Sequence, residues 1–306
     1  MEEISLNEFD NVWFGNAQDN AAKTGVTVAI FPKGARCGVD ISGGSSASRE
    51  TPVLSPTTAP TPVNAIVLSG GSAYGLAAGD GVMNWLEEHG IGYKTIAALV
   101  PIVVQSCIYD LAYGSATIRP NAAMGRAACE AAYRQEKFLS GSVGAGTGAT
   151  VGKLGGMNRA MKSGLGFYAV KVGDLKLAAL VVVNALGDIY DERNGKKIAG
   201  ILTDDGKNFA DSRAELYRFT TQTDLFNRAN TTLGIIITNG NFDKAQLAKI
   251  ASMTRNAFAR SIKPVGTLAD GDTIYAASIG EVSADLNMVG TLAAEVMSEA
   301  IRRAVE

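Results

Sequence analysis

Histidine is almost absent from this chain: its 306 residues contain one, His89. Serine triads, cysteine–histidine dyads and most zinc sites need imidazole, so each of them would have to be built on that residue. His89 closes the stretch VMNWLEEHG directly before Gly90, where a cation near a helix C-terminus and a glycine cap are an ordinary structural arrangement. Any enzymatic chemistry is therefore expected to run without histidine or a metal. The cysteines, Cys37, Cys107 and Cys129, are odd in number and widely spaced, without a CxxC pair, and read as reduced, mostly buried thiols. Cys107 has no basic partner visible in the sequence that would make it a thiolate.

One hydrolytic chemistry needs no histidine. A threonine at a chain's N-terminus can use its own α-amine as the base for its hydroxyl, and that amine has an unperturbed pKa near 8, suited to accepting a proton. Thr231 is placed for this. A polar stretch rich in Asp, Arg, Asn and Thr, from Thr203 to Asn230, gives way abruptly to Thr231-Thr-Leu-Gly-Ile-Ile-Ile-Thr. If the Thr231 hydroxyl attacks the Asn230 carbonyl, water can open the resulting ester and leave Thr231 as the first residue of a new chain. The triplet Asn230-Thr231-Thr232 also reads simply as a turn into a β-branched strand. Since neighbouring strand residues face opposite ways, only one of the two threonines can point into a given site.

Two glycine-rich segments invite other chemistry and fail in detail. GSVGAGTGATVGK, ending at Lys153, suggests a phosphate loop, but Thr147 and Leu154 stand where a Walker loop needs glycine and Ser or Thr. The variant GxGxxA fits at Gly144, Gly146 and Ala149, yet it follows a polar stretch rather than an apolar strand. In LSGGSAYGLAAGDGV, Ser72 has the setting of a nucleophile elbow, but Tyr74 breaks GxSxG and no acid is suitably placed before His89. Packing of a helix on a strand accounts better for these glycines.

Apolar alternation or continuous runs predict strands over 26–31, 37–41, 65–68, 93–104, 167–172, 176–183, 233–238 and 273–278. Helical periodicity covers 74–89, 122–136, 244–260 and 284–305, mostly opening near Ser, Asn or Asp. Strands in groups and helices in separate blocks imply sheets with helices packed outside, and a four-layer αββα sandwich in a single domain, 1–306, fits. Polar stretches at 42–62 and 203–230 are expected to be surface loops or linkers. Glycine reaches 35 of 306 residues against about 7% in general, which points to many tight turns or close backbone approaches.

With 46% hydrophobic residues the chain can bury a large core. A net charge of -2 with scattered Lys and Arg offers no basic stripe for nucleic acid. No apolar run approaches the roughly 20 residues of a membrane helix. The acidic start MEEISLNEFD lacks the features of a secretory signal, so a cytoplasmic protein is expected.

Several motifs in one order carry a resemblance that spans nearly the whole chain: GGSAYGLAAGDGV around Ser72, CIYD with Tyr109, the glycine-rich approach to Lys153, VVVNALG with Asn184, NTT at Asn230, and DGDTIYA from Asp270. Together they resemble the 6-aminohexanoate-oligomer endohydrolases (nylon hydrolases), within the DmpA-type aminopeptidase family of N-terminal-nucleophile-like hydrolases. The resemblance implies an αββα fold and self-cleavage into 1–230 and 231–306. It implies that Thr231 is the nucleophile, supported by Lys153, Asn184, Asp270 and Asp272, with Tyr109 nearby on the substrate side. Lys153 would depress the Thr231 amine by like charge, and Asn184 would donate its amide to the developing oxyanion, a contact worth roughly 3 kcal/mol. Asp270 and Asp272, two apart around Gly271, would point to one side and anchor the ammonium groups. Without the resemblance, these residues read as a DGD turn, the end of a strand and a solvated lysine.

The implied activity is hydrolysis of short linear ω-amino-acid oligomers or peptides through an acyl-enzyme, without a cofactor, in a homo-oligomer, a tetramer of cleaved protomers. An aminopeptidase/D-esterase of the DmpA type is the related alternative. Acyl transfer of the ornithine acetyltransferase kind is another, although that family cleaves after Ala in an ATM-like motif and this chain has NTT. A non-catalytic glycine-rich binding protein would not be cleaved at all.

Overall fold

Period-2 alternation along the strands sorts the apolar side chains into three separate cores, and these define the layers. The computed structural model describes residues 1–218 and 230–306. One sheet contains β5 (Leu165–Val172), β6 (Leu175–Asn184), β7 (Thr231–Gly240) and β8 (Thr273–Val282). The other contains β1 (Trp13–Asp19), β3 (Val63–Ser69) and β4 (Val103–Cys107). The long strand β2 (Thr24–Ile41) belongs to both, pairing with β1 and β3 through its first half and with β8 through its second.

Along β6, Ala178, Leu180 and Val182 face the space between the sheets, where they meet Ile66 and Leu68 of β3. Leu177, Ala179, Val181 and Val183 face the opposite way, onto α4 (Lys244–Ser261) and α5 (Leu286–Arg303). On the other side of the molecule, Val26, Val28, Ala65 and Val67 face α1 (Ala78–Glu88) and α2 (Ala122–Tyr133) through Val82, Trp85 and Ala128. The order of layers is thus αββα, as the grouping of strands and helices predicts.

Three of the helices begin where the sequence places their caps, whereas α1 starts only at Ala78, after a 3-10 turn over Ser72–Ala77 and without a side-chain cap. Asp243 accepts the Gln246 amide at 2.8 Å while Gln246 accepts the Asp243 amide at 2.9 Å, a reciprocal capping box. Asn121 and Asp285 cap α2 and α5 through the Met124 and Met288 amides. His89 ends α1, stacked on Trp85 with ring centroids 3.7 Å apart and Nδ1 against the Trp85 carbonyl at 2.7 Å, which agrees with its structural reading.

Three predicted elements need correction. The single strand expected over 93–104 is broken: Tyr93–Lys94 and Leu99–Val100 form a small hairpin, and β4 starts only at Val103, because Pro101 cannot donate to a ladder. The polar 42–62 stretch is not loop throughout, since Ala47–Arg49 pairs with β4. Within the predicted 203–230 linker, Ser212–Arg218 form a short helix, α3; residues 219–229 lie outside the described residues. Asp188 holds the start of α3 in place. Fully buried, it pairs with Lys197 at 2.7 Å and accepts the Ser212 amide and hydroxyl at 2.9 and 2.8 Å.

Part of the glycine excess reflects close contact between layers. At Gly38 on β2, a Cβ would lie 2.2 Å from the Ala248 backbone nitrogen of α4, far inside van der Waals contact. We therefore expect Gly38→Val to destabilise the fold by at least about 1–3 kcal/mol through overpacking, read as a lower denaturation midpoint in urea. Gly90→Val, where a Cβ meets nothing within 4 Å but φ is +69°, tests strain without crowding and should cost less.

Candidate active site

Register places the first pair of candidates. β6 and β7 are antiparallel neighbours, and their pairing sets Asn184 directly opposite Thr231. By alternation both share the face of Val182 and Leu233, toward the space between the sheets, while Thr232 takes the opposite face. β8 runs parallel to β7 on its other side, with Thr273 opposite Leu233. The turn before β8 thereby comes beside the head of β7, and Asn230 bridges to Asp270. Asn230, Thr231, Asn184, Lys153, Asp270 and Asp272 are all buried.

The Asn230–Thr231 peptide is gripped from several directions. The Asn230 amide donates to the Ala269 carbonyl at 3.0 Å, and the Asn230 carbonyl accepts the Gly271 amide at 2.7 Å. The Thr231 hydroxyl lies 2.5 Å from that same carbonyl oxygen. The Thr232 amide donates to Asp272 Oδ1 at 2.7 Å. Gly271 packs closely on the threonine, since a Cβ there would lie 2.7 Å from Thr231 Oγ1 and would crowd the hydroxyl.

Lys153 reaches this rung from the glycine-rich loop. Gly152, at φ +70°, lets the loop lie against 186–187, where the Gly152 and Lys153 amides donate to Gly187 and Leu186. The lysine Nζ donates to the Asn184 carbonyl at 2.8 Å and to Asn184 Oδ1 at 2.7 Å. Oδ1 also accepts the Thr150 amide at 3.1 Å, and Asn184 Nδ2 donates to the Tyr109 carbonyl at 3.0 Å. Two donors on one atom fix the orientation of the Asn184 amide. Tyr109 thus enters through its main chain, with its side chain half-buried.

Asp270 and Asp272 take neighbouring amides of the turn that precedes them. Asp270 Oδ2 accepts the Thr267 amide and hydroxyl, both at 2.7 Å, and Asp272 Oδ2 accepts the Gly266 amide at 3.1 Å. Burial raises both carboxyls above the usual range, and for Asp272 the nearby Asp270 adds to this. Burial lowers Lys153 to about 7, opposed by the charges of Asp270, Asp110 and Asp272. A lysine amine in this range is partly neutral at physiological pH and can accept a proton.

Some of the site was missed from sequence. The loop after β2 braces the DGD turn: Ser42 and Gly43 donate to the Asp272 carbonyl at 3.0 and 3.2 Å, and Ser45 donates to the Asp270 carbonyl at 2.9 Å. The pair Gly43-Gly44 after a strand was the available signal. The thiols remain structural: Cys107 is buried and pushed up to about 12 by desolvation, with Ser69 Oγ 3.1 Å away. Among the described residues, no group of three His, Cys, Asp or Glu is placed to hold a metal ion, and no helix is long and apolar enough to cross a membrane.

The two-sheet αββα core defines the fold class of the N-terminal-nucleophile hydrolases, and solved structures agree. The chain is similar to a Burkholderia β-aminopeptidase, with a TM-score of 0.67 at 18% identity, covering 99% of this chain and 87% of that one. It is also similar to the L-aminopeptidase D-Ala-esterase/amidase of Ochrobactrum anthropi, at 0.69 and 17%, covering 98% and 85%. Residues 9–306 match peptidase family S58, and the chain belongs to that family. An uncharacterized aminopeptidase of Mycobacterium leprae is 37% identical over 85% of this chain and 72% of its own length. The 6-aminohexanoate-oligomer endohydrolase of a Kocuria species is 31% identical over 98% and 85%. The protein is a hydrolase of amide bonds, and the expected resemblance and fold both hold.

A depressed lysine has a measurable consequence. Between about pH 7 and 10.5, the unfolded chain binds a proton at Lys153 that the folded chain lacks, so this residue makes stability rise with pH across that window. Urea unfolding of a Thr231→Ala chain at several pH values should show that rise, and the added substitution Lys153→Met should flatten it. Equal slopes in the two chains would mean that the folded lysine keeps an ordinary pKa.

Proposed function

We propose that the chain activates itself by breaking the bond between Asn230 and Thr231, and that the freed Thr231 is the nucleophile of an amide hydrolase. The observation that carries this reading is the Asn230 carbonyl, with the Thr231 hydroxyl 2.5 Å from its oxygen and the Gly271 amide donating to that oxygen from 2.7 Å. The hydroxyl oxygen attacks the carbonyl carbon, and the Gly271 N–H stabilises the oxyanion that forms. The C–N bond then breaks, the Thr231 nitrogen takes up a proton, and the acyl group rests on Oγ as an ester. Water opens the ester, leaving an Asn230 carboxylate and a free Thr231 amine. Lys153, held on Asn184 across the rung, is suited to relay the hydroxyl proton.

In turnover the Thr231 amine serves as base for its own hydroxyl, which takes the acyl group of an amide substrate and passes it to water. Asn184 has a second N–H beyond the one given to Tyr109 and is the side-chain donor for the substrate oxyanion. Asp270 and Asp272 hold the cationic groups in place, and Tyr109 borders the substrate. Short linear amides are the expected substrates, either ω-amino-acid oligomers, as the name of the Kocuria relative suggests, or peptides cleaved from their N-terminus. The 37% identity to a mycobacterial aminopeptidase favours keeping the second reading. Membership of a peptidase family favours water over an amine as the acyl acceptor.

We also infer a cytoplasmic homo-oligomer, a tetramer of cleaved protomers. The hairpin at Tyr93–Lys94 and Leu99–Val100 presents a fully exposed Ile96 and a half-exposed Tyr93, apolar surface suited to contact with another copy.

Intact mass measurement with N-terminal sequencing tests the cleavage. The expected result is two fragments, of 230 and 76 residues, the second beginning at Thr231, and an intact Thr231→Ala chain. One full-length species after prolonged incubation would overturn the reading. Gly271→Ala, which crowds the Thr231 hydroxyl, should slow the appearance of fragments by about tenfold or more.

A further inference from the structure

Both glycine-rich segments converge on one side chain outside the predicted site. Asp110 follows Tyr109 and is 4% exposed. Its Oδ2 accepts the Thr24 hydroxyl at 2.7 Å and its Oδ1 accepts the Gly71 amide at 2.7 Å. The loops on either side have no room for side chains. A Cβ at Gly70 would lie 1.9 Å from Asp110 Oδ2, and a Cβ at Gly148 would lie 2.6 Å from the Asp110 Cβ. Thus LSGG at the end of β3 and GAGTG before Lys153 form a cradle around a single carboxylate.

That cradle is tied to the site by a short chain of bonds. The Tyr109 carbonyl, one residue away, accepts Asn184 Nδ2, and Asn184 Oδ1 accepts Lys153 Nζ. We propose that Asp110 is a positioning residue of the catalytic centre, a third carboxylate locked between two glycine loops so that its negative charge governs how readily Lys153 gives up its proton. Asp270, Asp110 and Asp272 all bear on Lys153 and oppose the effect of burial. Burial also raises the Asp110 carboxyl, and the Thr24 hydroxyl, the Gly71 amide and the charge of Lys153 oppose that rise by favouring its ionised form.

Removing the Asp110 charge leaves the desolvation of Lys153 in place and takes away one of the carboxylates that oppose it, so the amine should lose its proton at lower pH. The proposal rests on Lys153 belonging to the catalytic centre but not on cleavage at Asn230, and its test is chosen accordingly. In the uncleaved Thr231→Ala chain, with lysine labelled by carbon-13 at Cε, NMR follows the Lys153 resonance, assigned by its loss in Lys153→Met.

With Asp110 intact the midpoint should lie at about 7. In Asp110→Asn it should fall by about half a pH unit or more. Thr24→Val, which keeps the shape of the cradle but removes the donor to Oδ2, should move it in the same direction by less. A midpoint that stays put in folded Asp110→Asn overturns the proposal; if that variant does not fold, an unmoved midpoint in Thr24→Val does so. A carboxylate with only a packing role would lower thermal stability without moving the titration. In the cleaved enzyme, the acid limb of the rate profile for amide hydrolysis should follow the NMR shift. If the titration moves and the rate profile does not, Asp110 sets the Lys153 proton but the catalytic role of Lys153 falls, and with it the place of Asp110 in the catalytic centre.

Discussion

Withdrawing a lysine amine from water is costly, and the structure does so with Lys153, which is 5% exposed. Burial of an isolated ammonium is tolerated only where it is paired, hydrogen-bonded or neutralised. Here the amine is held by both oxygens of Asn184, with carboxylates supplied by two separate parts of the chain. Much of the surrounding architecture serves that arrangement. Gly152 brings the lysine's loop against 186–187, the Thr150 amide fixes the Asn184 side chain, and the turn before β8 brings in Asp270 and Asp272.

The two sheets contribute unequal things to this centre. β6, β7 and β8 supply a rigid frame in which register alone sets Asn184 beside Thr231 and the DGD turn beside Asn230. The second sheet supplies loops, after β3 and β4, whose backbone groups reach across to Asn184 and surround Asp110. β2 is shared by both sheets and joins them through one continuous strand. Asn184 and Thr231 are held on strands, while Lys153, Asp270 and Asp272 come from a loop and a turn pinned against those strands by backbone hydrogen bonds.

Legibility in the sequence followed the strength of local pattern. Seven of the eight strand predictions coincide with strands because their alternation or apolar runs have one physical meaning, and the capped helices were similarly plain. The stretch over 93–104 misled because apolar residues there serve a protruding hairpin rather than a buried strand. The motifs around Thr231, Lys153, Asn184 and DGD were visible, but their convergence was supplied by a resemblance, since spacing in sequence says nothing about register between distant strands. Asp110 was passed over although CIYD was noticed. Its significance comes from Thr24, Gly71 and Gly148 meeting around it, and those contacts are tertiary.

The position of β7 has a further consequence. It lies between β6 and β8, and β8 in turn lies against β2, so the 76 residues from Thr231 onward contribute two interior strands and both helices of one outer layer. A backbone break at the head of β7 would therefore not divide the molecule into separable bodies. The halves would remain interleaved through unbroken ladders on both sides, with two of the three large cores built from residues of both. Were that break made, the cut molecule would keep a shape acquired while it was still one polypeptide, held by ladders and cores that neither piece completes alone.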